Sequence, residues 1–151
     1  MRKSRMPKKL HESITRLSKE GDDLAKKGAD QAAYDKYNEA WNLVPEPKVD
    51  WEASTWILSA VGELQFRLKK FDKALNSFLK AVQCPGGLGN PYIHLRIGEA
   101  QYELEDMKGA GDNLTRAYMG AGDDIFKVED PKYLTYLRTI LLPPVSDVEL
   151  S

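Results

Sequence analysis

The sequence is poor in the residues that build catalytic and metal sites. Its 151 residues include one cysteine, Cys84, and two histidines, His11 and His94. A single cysteine excludes an internal disulfide framework and fits a reducing compartment. No HExxH, CxxC, phosphate-binding loop or nucleophile elbow occurs. We expect His94 to be a partly buried helix residue and Cys84 a small buried one, and we expect no enzyme activity, metal or cofactor.

Long apolar runs and a basic body are also missing. No apolar run approaches a membrane span, and the start is not followed by the apolar segment of a secretory signal, so we expect a cytoplasmic protein. The net charge is −1, but residues 1–9 carry five positive charges and no negative one, which leaves −6 for the rest. An acidic body argues against nucleic acid as a partner. Residues 1–9 are predicted to be a disordered tail, with an interaction arm as the alternative.

One residue pattern occurs three times along the chain. A glycine is followed at +12 by alanine, at +16 by a large residue and at +19 by a second alanine. Helices that pack closely need small residues where their backbones approach and a large residue to fill the remaining gap. A fixed spacing of this size therefore indicates stacked helical repeats. The three sets are Gly21, Ala33, Tyr37 and Ala40; Gly62, Ala74, Phe78 and Ala81; and Gly98, Ala110, Leu114 and Ala117.

Turn and capping residues divide the chain around these repeats. We predict an all-α chain with a single domain at residues 10–142, in which the repeats cover about 14–46, 55–88 and 91–124 and a capping helix covers 131–142. Residues 143–151 are predicted to be a loose tail. Asp50, Asn90 and Asp130 are expected N-caps, and the last two precede a proline at the first helical position.

The pattern resembles the tetratricopeptide repeat family, a 34-residue helix–turn–helix unit. The resemblance covers about residues 14–124 and implies a right-handed helical solenoid of three repeats that serves as a binding scaffold. Two features depart from the family. The glycine-to-glycine spacings are 41 and 36 residues, and the usual glycine between the helices is replaced by Lys69 in the second repeat and by Glu105 in the third.

In this family the first helices line a concave groove, which implies a set of partner-binding residues. An acidic residue follows each repeat glycine, and aromatic residues surround the last two, a combination typical of interface anchors. Two other readings stay open, since aromatic residues at helical spacing are equally typical of a core and acidic residues of a solvated face. The implied set is Asp22, Lys26, Trp56, Ser59, Glu63, Phe66, Tyr92, Arg96, Glu99 and Tyr102.

The expected function is therefore a non-enzymatic interaction module that binds a basic or mixed protein surface, as a monomer or homodimer. The third repeat and the following helix, from YIHLRIGEAQYELEDM onward, also look like small stand-alone bacterial proteins. Some of these are similar to immunity or accessory proteins of secreted toxin systems. One alternative is a secretion chaperone that cradles an extended cargo segment in aromatic pockets. Another is a structural homodimer through the apolar side of the last helix, with Leu137 and Ile140.

Overall fold

The computed structural model of the protein describes residues 5–141. These residues are 79% helical and contain no strand, so the predicted all-α class is confirmed. Two 3-10 helices, Lys48–Asp50 and Gly122–Phe126, lie in connecting segments. Seven α-helices occur in the described chain: α1 (Lys8–Lys26), α2 (Asp30–Leu43), α3 (Glu52–Arg67), α4 (Phe71–Val82), α5 (Pro91–Glu103), α6 (Met107–Ala121) and α7 (Pro131–Leu141).

The helices fall into two compact units. Unit 1 ends at Leu88 and contains α1 to α4, and unit 2 begins at Gly89 and contains α5 to α7. The boundary between the units coincides with the end of the second predicted repeat, at residue 88. None of the helices within residues 5–141 is both long and apolar enough to cross a bilayer.

Three helical hairpins, α1–α2, α3–α4 and α5–α6, share one packing arrangement. In each hairpin the large residue of the second helix lies directly on the glycine of the first. A Cβ atom added at Gly62 would lie 2.7 Å from the ring of Phe78, and one added at Gly21 would lie 2.6 Å from the ring of Tyr37. At Gly98 it would lie 2.8 Å from Leu114. The pairings predicted from the repeat spacing are therefore confirmed, while the solenoid stays a prediction.

The turn inside each hairpin is also the same. The residue seven positions after the packing glycine has a positive φ: 79° at Gly28, 61° at Lys69 and 66° at Glu105. The next backbone N–H donates to the carbonyl five residues earlier, at 2.8–2.9 Å in all three turns, which is the Schellman motif. Two of the turns therefore hold a left-handed conformation without the glycine that favours it.

Two of the three predicted caps are confirmed. The Asn90 side chain accepts hydrogen bonds from the first-turn amides of α5, and Asp130 Oδ1 accepts the Lys132 N–H at 3.0 Å. The prediction for Asp50 is wrong, because Asp50 belongs to the first 3-10 helix and α3 begins beyond it without a side-chain cap. The predicted tail of residues 1–9 is also too long, since α1 begins at Lys8.

Each unit has a core of its own. In unit 1, residues of α1, α2 and α3 form one cluster, with Ile14, Tyr37 and Ile57 buried at its centre. In unit 2, α7 packs on the α5–α6 hairpin and buries Leu137 completely. Leu137 is therefore buried inside its own unit and cannot contribute to the homodimer interface predicted on the last helix.

Candidate functional site

Four of the expected binding residues lie along one side of α3 in unit 1. Trp56 is 42% exposed, and its ring meets His11 of α1 edge-on at 6.0 Å between centroids. Ser59 and Glu63 are half-buried at the next turns, and Phe66 follows near the helix end. We call Trp56, Ser59, Glu63 and Phe66 the α3 strip. Phe66 is half-buried against Phe71, with ring centroids 5.2 Å apart, so it belongs partly to the hairpin.

The two expected residues of α1 are exposed. Lys26 lies in the last turn of α1. Asp22 Oδ1 accepts a hydrogen bond of 2.6 Å from the hydroxyl of the buried Tyr37. Burial and then this hydrogen bond raise the pKa of Tyr37, so its hydroxyl stays protonated and holds Asp22 in place.

Glu99, expected on the same surface in unit 2, is fully buried. Its Oε1 accepts a bond of 2.7 Å from Arg96 Nη1, which also reaches Glu129 Oε1 at 2.5 Å. The Arg96 guanidinium lies 5.4 Å from the ring centre of Tyr92. Arg96 therefore binds within unit 2, and the expectation that Glu99 contacts a partner is wrong. The segment before α7, which carries Glu129, covers this part of α5.

The Glu99 carboxyl is uncharged at neutral pH. Burial raises its pKa to about 9, the neighbouring Glu129 carboxylate adds to the rise, and Arg96 opposes it. A buried carboxylate without full compensation is costly, so the group holds its proton instead. Glu99 thus gives the surface neither negative charge nor contact area.

Tyr102 also belongs to the interior of unit 2. It is half-buried and meets Tyr133 and Tyr136 of α7 edge-on, at 5.3 and 5.6 Å between centroids. The Tyr133 hydroxyl donates to Glu103 at 2.6 Å, and Lys132 pairs with the same carboxylate at 2.7 Å. The core interpretation of the aromatic residues is therefore correct for Tyr102, whereas Trp56 is exposed.

His94 and Cys84 have the structural roles expected of them. His94 is 3% exposed, and its Nε2 accepts the Gly89 N–H at 2.9 Å. The ring therefore carries its proton on Nδ1 and donates it to Asn113 Oδ1, also at 2.9 Å. Cys84 is buried, and burial raises the pKa of its thiol, which disfavours the reactive thiolate. Within the described chain, no cluster of three or more His, Cys, Asp or Glu residues could hold a metal ion.

Sequence reasoning missed a groove on the other side of α3. Its walls are α2 and α4, and its floor is α3. Two adjoining cavities of about 290 and 550 Å³ form it and share Tyr34, Gln65 and Lys73. A sequence signal existed, because Lys73 and Lys80 stand seven residues apart and so lie on one face of α4.

No protein-family model matches the sequence, and no curated protein matches it significantly. The resemblance to tetratricopeptide repeats therefore rests on the residue spacing and the hairpin geometry alone.

Proposed function

We propose that this chain is a non-enzymatic protein-binding module and that the α3 strip of unit 1 is its contact surface. One observation carries the proposal: Trp56, in the second turn of α3, is 42% exposed. Tryptophan is among the residues most enriched at the centres of protein interfaces and in binding hot spots. Glu63, two turns further along α3, supplies the neighbouring charge.

The partner that fits this strip is apolar with some positive charge. Trp56 offers apolar area, while Glu63 and the exposed Asp22 on α1 offer negative charge. An immunity protein that covers a basic toxin would use this acidic character, although the burial of Glu99 leaves less of it than the repeat pattern predicts. The exposed Trp56 equally favours the second candidate, a secretion chaperone that cradles an extended, partly apolar segment of its cargo.

The test is capture of partners from the native host's lysate, with quantitative mass spectrometry. The baits are the unchanged chain, Trp56→Ala, Glu63→Lys and a control variant, Met119→Ala. Met119 is 80% exposed on α6 of unit 2, so its truncation removes apolar surface elsewhere. We expect one stoichiometric partner that is lost with Trp56→Ala and Glu63→Lys and kept with Met119→Ala.

The purified partner then separates the two functions. A folded domain bound one-to-one supports immunity, and a short unfolded segment bound at micromolar affinity supports the chaperone. A partner that every bait retains equally would show that the α3 strip is not the contact surface.

A further inference from the structure

The groove between α2 and α4 has a wall of unpaired positive charge. Lys73 and Lys80 line it from α4 and Lys70 from the position just before α4, and none of the three forms an ion pair within the described part of the chain. The smaller cavity has no acidic residue in its lining. The one carboxylate at the other end, Asp30, is neutralised by an ion pair with Arg67. The residues that line the groove therefore carry a net positive charge, in a chain whose net charge is −1.

The opposite wall and the floor are amphipathic. Tyr34, which is 42% exposed, and Trp41 project from α2, while Leu58 and Val61 of α3 form an apolar floor. Amide side chains lie between them on all three helices, at Asn38, Gln65 and Asn76. Such amides can donate to and accept from the backbone of an extended peptide.

We propose that this groove binds an extended acidic peptide segment of a partner protein. From Asp30 to Trp41 the α2 wall is roughly 16 Å long at the helical rise, which matches about five residues of extended chain. Lys73 and Lys80 stand about 10 Å apart along α4, which matches two acidic residues about three positions apart. The apolar floor accepts an apolar side chain between them. The groove lies on the side of α3 opposite the α3 strip, so this site is independent of the proposed function.

The charge and the amides favour a peptide over a nucleic acid. The groove wall has three lysines and no arginine, whereas tracking a nucleic acid backbone takes a longer basic surface. Paired lysines match carboxylates at a fixed spacing, and the amides match peptide groups. A single-stranded oligonucleotide is therefore the competing ligand in the test.

The experiment is fluorescence anisotropy with three labelled probes on the full chain. The first is a short peptide with two glutamates that flank a Leu-Phe pair, the second has glutamine in place of both glutamates, and the third is a single-stranded oligonucleotide. We expect only the first to bind, and to bind more weakly as salt rises. Reversing both charges with Lys73→Glu/Lys80→Glu should weaken binding at least about tenfold. The control Lys27→Glu/Lys108→Glu changes the net charge equally at exposed positions outside the groove and should bind like the unchanged chain.

Several outcomes would overturn the proposal. Equal binding of the glutamine peptide would show that the lysines do not select the ligand, and tighter binding of the oligonucleotide would assign the groove to nucleic acid. A peptide of residues 143–151, which carries Asp147 and Glu149, is tested in parallel. If it binds more tightly than the first probe, the occupant is a segment of this chain and not a partner. Circular dichroism confirms that both variants stay folded, which exposed lysine positions should allow.

Discussion

The residue after the packing glycine lies in a different environment in each unit. In unit 1, Asp22 is exposed and Glu63 is half-buried, and both lie on the outer side of a first helix. In unit 2 the equivalent Glu99 is 0% exposed and shares Arg96 with Glu129. The three hairpins are otherwise built on the same packing contact and the same turn.

The difference shows which contacts a repeat specifies. The glycine and the residue sixteen positions later are both part of the repeat, so their contact recurs in every copy. Whether the outer side of the first helix is exposed or buried depends on which segment packs against it. In unit 2, α7 and the non-repeating segment that carries Glu129 pack against α5. They bury a side of α5 that the repeat pattern predicts to be exposed.

The comparison is tested most strongly by placing a lysine at each of the two glutamate positions. Glu99→Lys would bury a second cation beside Arg96 and should destabilise unit 2 by about 3–5 kcal/mol. Glu63→Lys, at a half-buried position, should destabilise unit 1 by less than Glu99→Lys destabilises unit 2. Hydrogen exchange of each helix is the measurement, with faster exchange expected in α5–α7 for Glu99→Lys. Exchange that changes equally little in both variants would mean that Glu99 is not a core residue.

A second test uses pH. The Glu99 pKa is raised from 4.5 to about 9, so the folded chain holds a proton that the unfolded chain releases. Stability is therefore highest at the acidic end of this window and falls as pH rises, by at most about 1.4 kcal/mol per pH unit. Glu99→Gln keeps the shape without the titrating proton and should flatten the slope between about pH 5 and about pH 9. Urea unfolding at several pH values measures it, and an unchanged slope in Glu99→Gln would assign the pH dependence to other groups.

The contacts that the units share are tested by adding a methyl group at the packing glycines. The three atoms nearest to an alanine Cβ at Gly62 all belong to the Phe78 ring, whereas at Gly98 they include the backbone nitrogen of Leu114 at 2.9 Å. Each substitution should lower the free energy of unfolding by about 1–3 kcal/mol, with the larger loss at Gly98 because backbone yields less than a ring. Chemical denaturation gives the values, with the exposed Thr15→Ala as control. A loss at Gly62 larger than at Gly98 would contradict this order.

The contacts between the two helices of each hairpin could be predicted from the sequence. The burial of the outer side of the first helices could not. The contact between Gly62 and Phe78 follows from spacing alone, because helical geometry fixes which side chains of a hairpin meet. The burial of Glu99 depends on Glu129, thirty residues away in a segment without a repeat partner. The groove of Lys73 and Lys80 needs two hairpins side by side, which a pattern within one hairpin does not describe.

The smallest expected effect concerns the turns, where the two units agree. Lys69 in unit 1 and Glu105 in unit 2 adopt the left-handed conformation that Gly28 adopts in the first hairpin. A residue with a side chain destabilises the folded state by about 1–2 kcal/mol in this conformation. Replacing it with glycine recovers only part of this free energy, because glycine also makes the unfolded chain more flexible.

Lys69→Gly and Glu105→Gly should therefore each stabilise the chain by about 0.5–1 kcal/mol, and Gly28→Ala should destabilise it by about 1 kcal/mol. Both side chains are exposed, so their removal should sacrifice little packing. The measurement is the midpoint of urea unfolding. A shift of the midpoint reports a change in stability if the slope of the unfolding free energy against urea concentration is the same in all variants. A gain at Lys69 with a loss at Glu105 would mean that the Glu105 side chain has a role in unit 2 beyond the turn, and the two hairpins would then differ on their inner side as well.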